Sequence, residues 1–197
     1  MAGISRRDVL RNLTVGVTAS SVLKIIPTQA AEHAHTLVKE EKAKTPAGSY
    51  APKFFNSHQY KMLQSLCQAI IPADEHSGGA VEAGAPEFID LLTSENKEYQ
   101  LSLGGGLMWL DSTCQDRYGK VYLECSPAQQ TEMLDLIAYS KNVQKNPGLG
   151  GGVKFFSLLR DMTSDGFFTS EIGIKYLGYI GNDYLAEFPG CPPLPQD

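Results

Sequence analysis

Residues 57–72, SHQYKMLQSLCQAIIP, set the fold class of this chain. The apolar side chains of this segment recur at the three- and four-residue spacing that is typical of one face of an amphipathic helix. They are Tyr60, Leu63, Leu66, Cys67, Ile70 and Ile71. Ser57 is a favourable N-cap, and Pro72 cannot continue a helix. The segment therefore predicts a helix over residues 58–71.

Four later segments also predict helices. Gly84-Ala85-Pro86 places proline in the first turn of a helix with an apolar stripe over 88–92. A third helix is predicted from about Glu98 to Tyr118. Ser126-Pro127-Ala128-Gln129 is typical of a helix start, because the serine can cap the helix and the glutamine can complete a capping box. A further apolar-faced helix is predicted over 153–162, after a glycine-rich turn.

The centre of the third helix contains Gly104-Gly105-Gly106. Each glycine costs about 1 kcal/mol relative to alanine in a helix interior. Two explanations stay open: the helix breaks there, or a neighbouring backbone approaches so closely that side chains would clash. No segment shows the sustained alternation of a strand. We therefore expect a mainly α fold, with a single domain of about five helices over residues 53–197.

Two regions lack a helical pattern. Residues 32–52 contain charges, proline and glycine with little to bury, which predicts a linker. Residues 166–197 are rich in aromatic residues, glycine and proline, which predicts an irregular tail wrapped over a surface. Its aromatic side chains either pack on the chain's own helices or contact another chain, because interface cores favour the same residue types. The tail residues that we name for such contacts are Phe167, Phe168, Tyr179 and Phe188.

Residues 1–31 are interpreted as an export signal. Arg6 and Arg7 form a twin-arginine pair ahead of a weakly apolar stretch over 13–26, and small residues suited to cleavage follow at 28–31. The stretch is shorter and more polar than the roughly 20 apolar residues of a membrane span. An uncleaved amphipathic anchor is the alternative. The pattern predicts export by the Tat route, which carries folded proteins and is used mainly where a cofactor is inserted before export.

Charge and cysteine content narrow the class of protein. The formal net charge is −5 and no basic cluster is present, which argues against binding to nucleic acid or directly to anionic lipid. The four cysteines, Cys67, Cys114, Cys125 and Cys191, lack C-x-x-C spacing, so a local zinc or iron–sulfur site is disfavoured. Three intrachain pairings of these thiols are possible, and the sequence does not choose among them. Cys191 lies in the tail, where a bridge to the domain or to a partner chain is possible.

Catalytic motifs are absent from the sequence. It contains no dinucleotide fingerprint, P-loop, zinc-protease or nucleophile-elbow motif. Asp74-Glu75-His76 is the best candidate for a metal or acid–base site, yet adjacent residues rarely point at one ion. A solvated turn or a loop that docks on a partner is the favoured interpretation of these three residues. The residues thus indicate a binding subunit without a catalytic, cofactor or metal site, and a stand-alone periplasmic metal-binding or enzymatic domain is the alternative.

The order of several short motifs resembles the gluconate 2-dehydrogenase subunit 3 family, the small or gamma subunits of membrane-bound FAD-dependent sugar and sugar-acid dehydrogenases. Each motif alone is weak, but together they cover nearly all of the chain after the leader. They are the twin-arginine leader, Ile70-Ile71-Pro72-Ala73-Asp74, Gly84-Ala85-Pro86-Glu87-Phe88-Ile89-Asp90, Trp109-Leu110-Asp111, Ser126-Pro127-Ala128-Gln129-Gln130, Gly166-Phe167-Phe168-Thr169-Ser170, Gly178-Tyr179-Ile180-Gly181-Asn182 and Phe188-Pro189-Gly190-Cys191-Pro192.

The resemblance implies a noncatalytic subunit of a three-component dehydrogenase. A large flavoprotein of the glucose-methanol-choline type would hold FAD, and a multi-haem cytochrome c would pass electrons towards membrane quinone. This chain would assist folding, Tat export and stability of the large subunit in the periplasm, and would reach the membrane through its partners alone. We expect it to contact them through the loop at Asp74, Glu75 and His76, through Trp109 and through the aromatic tail, with Cys191 as a possible bridge.

Overall fold

The computed structural model describes residues 28–45 and 49–181, and every regular element in that part of the chain is helical. The mainly α, single-domain prediction is confirmed. The elements are α1 (Thr28–Ala43), α2 (Ser57–Ile70), α3 (Ala85–Glu95), α4 (Lys97–Tyr99), a π-helical turn (Gln100–Gly104), α5 (Gly105–Tyr118), a 3-10 turn (Tyr122–Glu124), α6 (Pro127–Ala138), α7 (Lys141–Lys145), a 3-10 turn (Pro147–Leu149), α8 (Gly150–Phe168) and α9 (Glu171–Tyr176).

Two helices form the centre of the domain. The short helix α3 buries eight of its eleven residues, so it is enclosed by neighbours on nearly every side. It packs against α8, and α8 also contacts α2, α5, α6 and α9. Phe88, Leu159 and Met162 are among the fully enclosed side chains of this core. The other helices form a shell around the α3–α8 pair.

The interpretation of residues 32–52 as a linker is wrong for its first half. Residues Thr28–Ala43 form a helix that packs on α3. Ala31, Ala34 and Val38 are buried along one face of it, and Lys42 pairs with Glu87 of α3 at 2.9 Å. The pattern is weak because two of these three buried residues are small and the surrounding residues are charged. The segment in which signal cleavage is expected, 28–31, is therefore the first turn of a helix in the folded chain.

The three glycines lie in a helical stretch that does not break. The chain passes from α4 through the π-helical turn directly into α5. A Cβ atom on Gly106 would lie 2.0 Å from Cδ2 of Phe155, and one on Gly104 would touch the ring of Phe54 at 3.5 Å. At Gly106 a side chain is thus excluded by an aromatic ring, whereas Gly104 makes an ordinary contact and Gly105 faces open space. The sequence suggested a helix break or a close backbone instead.

Helix starts agree closely with the sequence. Ser126 accepts a hydrogen bond from the backbone N–H of Gln129, and the reciprocal bond completes the predicted capping box. At α2 the capping box is built on Asn56, one residue before the predicted cap. Helix α8 begins at Gly150, so the glycine-rich segment forms its first turn. In that turn Gly152 lies against the ring of Trp109.

The segment before α2 is fixed by a buried carboxylate. Asp90 is fully buried on α3 and accepts hydrogen bonds from the Tyr50 hydroxyl at 2.9 Å and from the backbone N–H groups of Lys53, Phe54 and Phe55 at 2.6, 3.1 and 3.0 Å. A buried charge is tolerated only when such partners replace the lost water. Asp90 therefore holds residues 50–55 on the core and directs the entry into α2.

The prediction of an irregular tail from residue 166 is wrong for the part of it that the structure describes. Residues 166–168 complete α8, and residues 171–176 form α9. Phe167 is buried and packs edge-on against Tyr176. Phe188 and Cys191 lie outside the described residues. No helix within residues 28–45 and 49–181 is both long and apolar enough to span a membrane.

Candidate partner-binding surface

Large apolar side chains are exposed together around α9. They are Phe168, Tyr176, Leu177, Tyr179 and Ile180, with exposures from 40% at Phe168 to 87% at Ile180, and we call them the C-terminal patch. Single exposed apolar residues are ordinary on a protein surface, whereas several of them within a short stretch are typical of an interaction site. Aromatic residues are also enriched in interface cores. This patch is therefore the candidate functional site of the described chain.

A Schellman motif ends α9 and sets the direction in which the chain continues through the last residues of the patch. Gly178 adopts a φ of 64° and its N–H donates to the carbonyl of Lys175 at 3.1 Å, while the N–H of Tyr179 donates to the carbonyl of Ile174 at 3.2 Å. These are the two hydrogen bonds of that motif. At the other end, Ser170 caps α9 by accepting from the N–H of Gly173. Serine and glycine at these positions are the sequence signals that could have predicted this helix.

Helix α9 also packs tightly on the end of α8. A Cβ atom on Gly173 would lie 2.0 Å from the backbone oxygen of Phe167. Only glycine permits this approach. Phe167 itself is 3% exposed, so its side chain is not at the surface and it supports the patch from below. Phe167 is therefore not a surface contact residue, whereas its neighbour Phe168 is exposed.

The structure brings the loop at residues 73–79 next to α9. A Cβ atom on Gly78 would lie 3.5 Å from Cδ1 of Ile172. The Asp74 carboxylate accepts the backbone N–H groups of His76 and Ser77 at 2.8 and 2.9 Å, and these bonds lower the pKa of Asp74. The loop and the tail, which the sequence suggested as two separate contact regions, are thus neighbours.

The chemistry of this loop is that of a closed polar turn. Glu75 and His76 are exposed and pair with each other at 3.3 Å. Asp74 already accepts hydrogen bonds from the backbone of its own loop. Within residues 28–45 and 49–181, no three His, Cys, Asp or Glu side chains come together in an arrangement that could hold a metal ion. The loop is therefore a hydrogen-bonded polar turn at the surface.

Trp109 packs within the domain. Its ring is half-buried and lies against the backbone of α8, where a Cβ atom on Gly152 would be 2.3 Å from Cη2. The side chain therefore packs the start of α8 on α5. On the outer face of the same helical stretch, Leu101 and Met108 are 79% and 66% exposed, and we call them the α5 face. Sequence reasoning missed these two residues because they lie outside the apolar stripe.

Behind the patch, His35 links α1 to the end of α8. Its ring stacks on Phe88 with centroids 5.1 Å apart, and Nε2 is 3.0 Å from the Thr169 hydroxyl oxygen. Burial, and to a smaller extent the positive charge of Lys39, lower the pKa of His35, whereas a backbone hydrogen bond at Gly166 and the charge of Glu171 oppose this shift. The folded chain therefore prefers the neutral imidazole.

We expect stability to fall on mild acidification because of His35. Since its pKa is lowered on folding, its contribution is complete above the unfolded value near 6.5 and is lost as the pH falls below it. Urea unfolding between pH 7.5 and 5.5 should show a decline of less than about 1.4 kcal/mol per pH unit, the limit for one proton. His35→Gln should flatten this slope, and His76→Gln on the exposed loop should not. An unchanged slope in His35→Gln would contradict the assignment.

One of three comparisons with known proteins identifies a family. The family model described as gluconate 2-dehydrogenase subunit 3 matches residues 57–190, about two thirds of the chain. The matched region includes α2 to α9, the loop at 73–79 and the C-terminal patch. The search of curated proteins and the search of solved structures returned no match. A match of this extent, over a helical domain with an exposed apolar patch, shows that the chain belongs to the gluconate 2-dehydrogenase subunit 3 family.

Proposed function

We propose that this chain is the noncatalytic small subunit of a periplasm-facing, membrane-bound, FAD-dependent dehydrogenase, and that it supports the folding, export and stability of the large flavoprotein subunit. Membership of a subunit family implies partner subunits. The single observation that supports the binding role is the C-terminal patch, which exposes five large apolar side chains beside the acidic loop. Such a patch is costly on a monomer and gains free energy when a partner covers it.

The proposal assigns the redox chemistry to the partners. FAD would be held by a large subunit of the glucose-methanol-choline type, and haem c by a multi-haem cytochrome subunit that passes electrons to the membrane. The chain itself would contribute binding surface and no reacting group. Its acidic balance suits association with the membrane through these subunits rather than through direct contact with anionic lipid.

The leader supports the export part of the proposal. Arg6 and Arg7 fit a Tat signal, and the Tat route accepts folded proteins. A flavoprotein that acquires FAD before export and lacks its own signal could be carried by this chain as a folded complex. Both proteins would then enter the periplasm together.

Co-expression tests this proposal. The large flavoprotein subunit should be produced with the full chain, with an Arg6→Lys/Arg7→Lys variant and alone, and its soluble yield, FAD content and periplasmic fraction should be measured. We expect soluble, FAD-loaded flavoprotein in the periplasm only with the full chain, and cytoplasmic retention with the arginine variant. Equal yield and location in all three cases would reject the proposal.

A covalent bridge through Cys191 is a further expectation of this proposal. A cysteine in the terminal segment could fasten the chain to the large subunit in an oxidising compartment. Nonreducing electrophoresis of the native complex should show one band that contains both subunits and that separates on reduction. Cys191→Ser should abolish that band, and Cys67→Ser, at a buried position, should not. Free migration of both subunits without reductant would reject the bridge.

A further inference from the structure

The segment after α5 folds back along that helix. Gly119 ends α5 with a φ of 71°, and the chain then reverses. The backbone N–H of Tyr122 donates to Oδ1 of Asp111 at 3.0 Å, and the Tyr122 carbonyl accepts from the side-chain amide of Gln130 at 2.9 Å. Tyr122 is 1% exposed. Residues 120–125, which we call the return segment, therefore lie against the last two turns of α5.

This reversal places two cysteines side by side. Cys114 on α5 and Cys125 at the end of the return segment are both buried thiols. Burial first, and then the nearby Cys125 thiol, raise the pKa of Cys114 to about 12. The Cys125 thiol itself donates to the Lys120 carbonyl, 3.8 Å away. Burial first, and to a smaller extent the Cys114 and Cys125 groups, raise the pKa of Tyr122. The two side chains thus lie on facing segments of the reversal, which the Tyr122–Asp111 hydrogen bond closes.

The remaining described cysteine has different neighbours. Cys67 is completely buried on α2, and its thiol lies 3.5 Å from the Thr163 hydroxyl oxygen on α8. Its electrostatic neighbour is Glu87, on α3. Among the described residues the fold therefore brings Cys114 to Cys125 and leaves Cys67 apart.

We propose that Cys114 and Cys125 form a disulfide that fastens the return segment to α5 once the chain reaches an oxidising compartment. This inference rests on the periplasmic location in the proposed function. The bridge would close a short loop and would hold the start of α6, whose cap Ser126 follows Cys125 directly. It would leave Cys191 as the cysteine available to a partner, because Cys67 is sealed in the core.

The oxidant is a disulfide, either a small one such as glutathione disulfide or that of a thiol–disulfide exchange protein. The Cys125 thiolate attacks one donor sulfur and releases the first donor thiolate. The Cys114 thiolate then attacks the Cys125 sulfur and releases the second one. The two cysteines are oxidised, the donor disulfide is reduced to two thiols, and the two cysteine protons pass to these thiols. Because both thiols are buried, the exchange requires local opening of the return segment.

Peptide mapping of the full chain tests this assignment. The chain should be taken from the native complex, denatured in acid, treated with N-ethylmaleimide without reduction, and digested with trypsin. Cleavage after Arg117 and Lys120 places the two cysteines on peptides 98–117 and 121–141, which stay together only if they are bridged. We expect a linked pair that separates on reduction. A parallel sample of the reduced chain should be oxidised with glutathione disulfide.

The two samples distinguish a wrong cysteine pairing from a wrong location of the chain. A linked pair in both samples supports the disulfide and the oxidising compartment. A linked pair after glutathione treatment alone supports the pairing and contradicts the periplasmic location. N-ethylmaleimide on both cysteines in both samples overturns the disulfide and does not affect the proposed partner function.

Thermal unfolding provides a second readout. Reduction should lower the midpoint of the oxidised chain by roughly 5 to 10 °C. The matched variant Cys67→Ser should keep this sensitivity to reductant, and Cys114→Ser should lose it. Equal sensitivity in Cys114→Ser and in the unmodified chain would also overturn the assignment.

Discussion

Asp90→Ala is expected to lower the free energy of unfolding by about 3–5 kcal/mol, because it leaves four donors around a buried site without their acceptor. These donors are the Tyr50 hydroxyl and the backbone N–H groups of Lys53, Phe54 and Phe55. Three of the donors are backbone N–H groups, which no side-chain substitution can remove. They therefore depend on this carboxylate. Urea unfolding at pH 7.5 measures the effect.

Two milder variants make this prediction specific. Tyr50→Phe deletes one of the four hydrogen bonds and should cost about 1 kcal/mol. Asp90→Asn keeps one carbonyl oxygen for two of the donors but opposes an NH₂ group to the others, so its cost should lie between the two. If Asp90→Ala costs no more than Tyr50→Phe, the carboxylate does not hold residues 50–55 as described.

Leu177→Asp combined with Ile180→Asp is expected to weaken binding to the large flavoprotein subunit by more than about 30-fold. A central interface residue is worth 2 kcal/mol or more, and a charge placed in an apolar contact adds a desolvation cost. Both side chains are more than half exposed, so the folded chain should tolerate the change within about 0.5 kcal/mol. The dissociation constant of the purified complex is the measurement.

The α5 face supplies a matched control for this variant. Leu101→Asp combined with Met108→Asp introduces the same charges at equally exposed apolar positions on another surface. This control should bind the partner as tightly as the unmodified chain does. Loss of binding in the control, with binding retained in the C-terminal variant, would transfer the interface to the α5 face.

The elements with strong local signals were predictable. The apolar stripe of α2 and the Ser126-Pro127 start of α6 determine helices through short-range physics, and both appear within one residue of the predicted positions. Helix α1 was missed because alanine contributes little to an apolar pattern, although Ala31 and Ala34 are buried once α3 lies beside them. Burial of small residues depends on the neighbour that approaches them, and the sequence does not name that neighbour.

The candidate site illustrates the same limit. The loop at 73–79 and the tail were both suggested as contact regions, but their proximity comes from the packing of α9 on α8 through Gly173. Phe167 and Phe168 are adjacent aromatic residues, but Phe167 is buried and Phe168 is exposed. Helical phase at the end of α8 decides between them, and the sequence indicated no helix there. The sequence does not distinguish Asp90 from other helix carboxylates, because its four partners in residues 50–55 come near it only in the folded chain.

The central claim is that the C-terminal patch and the adjoining loop bind the large flavoprotein subunit. Hydrogen–deuterium exchange of the full chain, alone and in the purified complex, tests it directly. We expect the largest gain in protection over residues 73–79 and 168–181 on complex formation, with little change over residues 100–112. Protection that appears over 100–112 and is absent from both predicted segments would contradict the account.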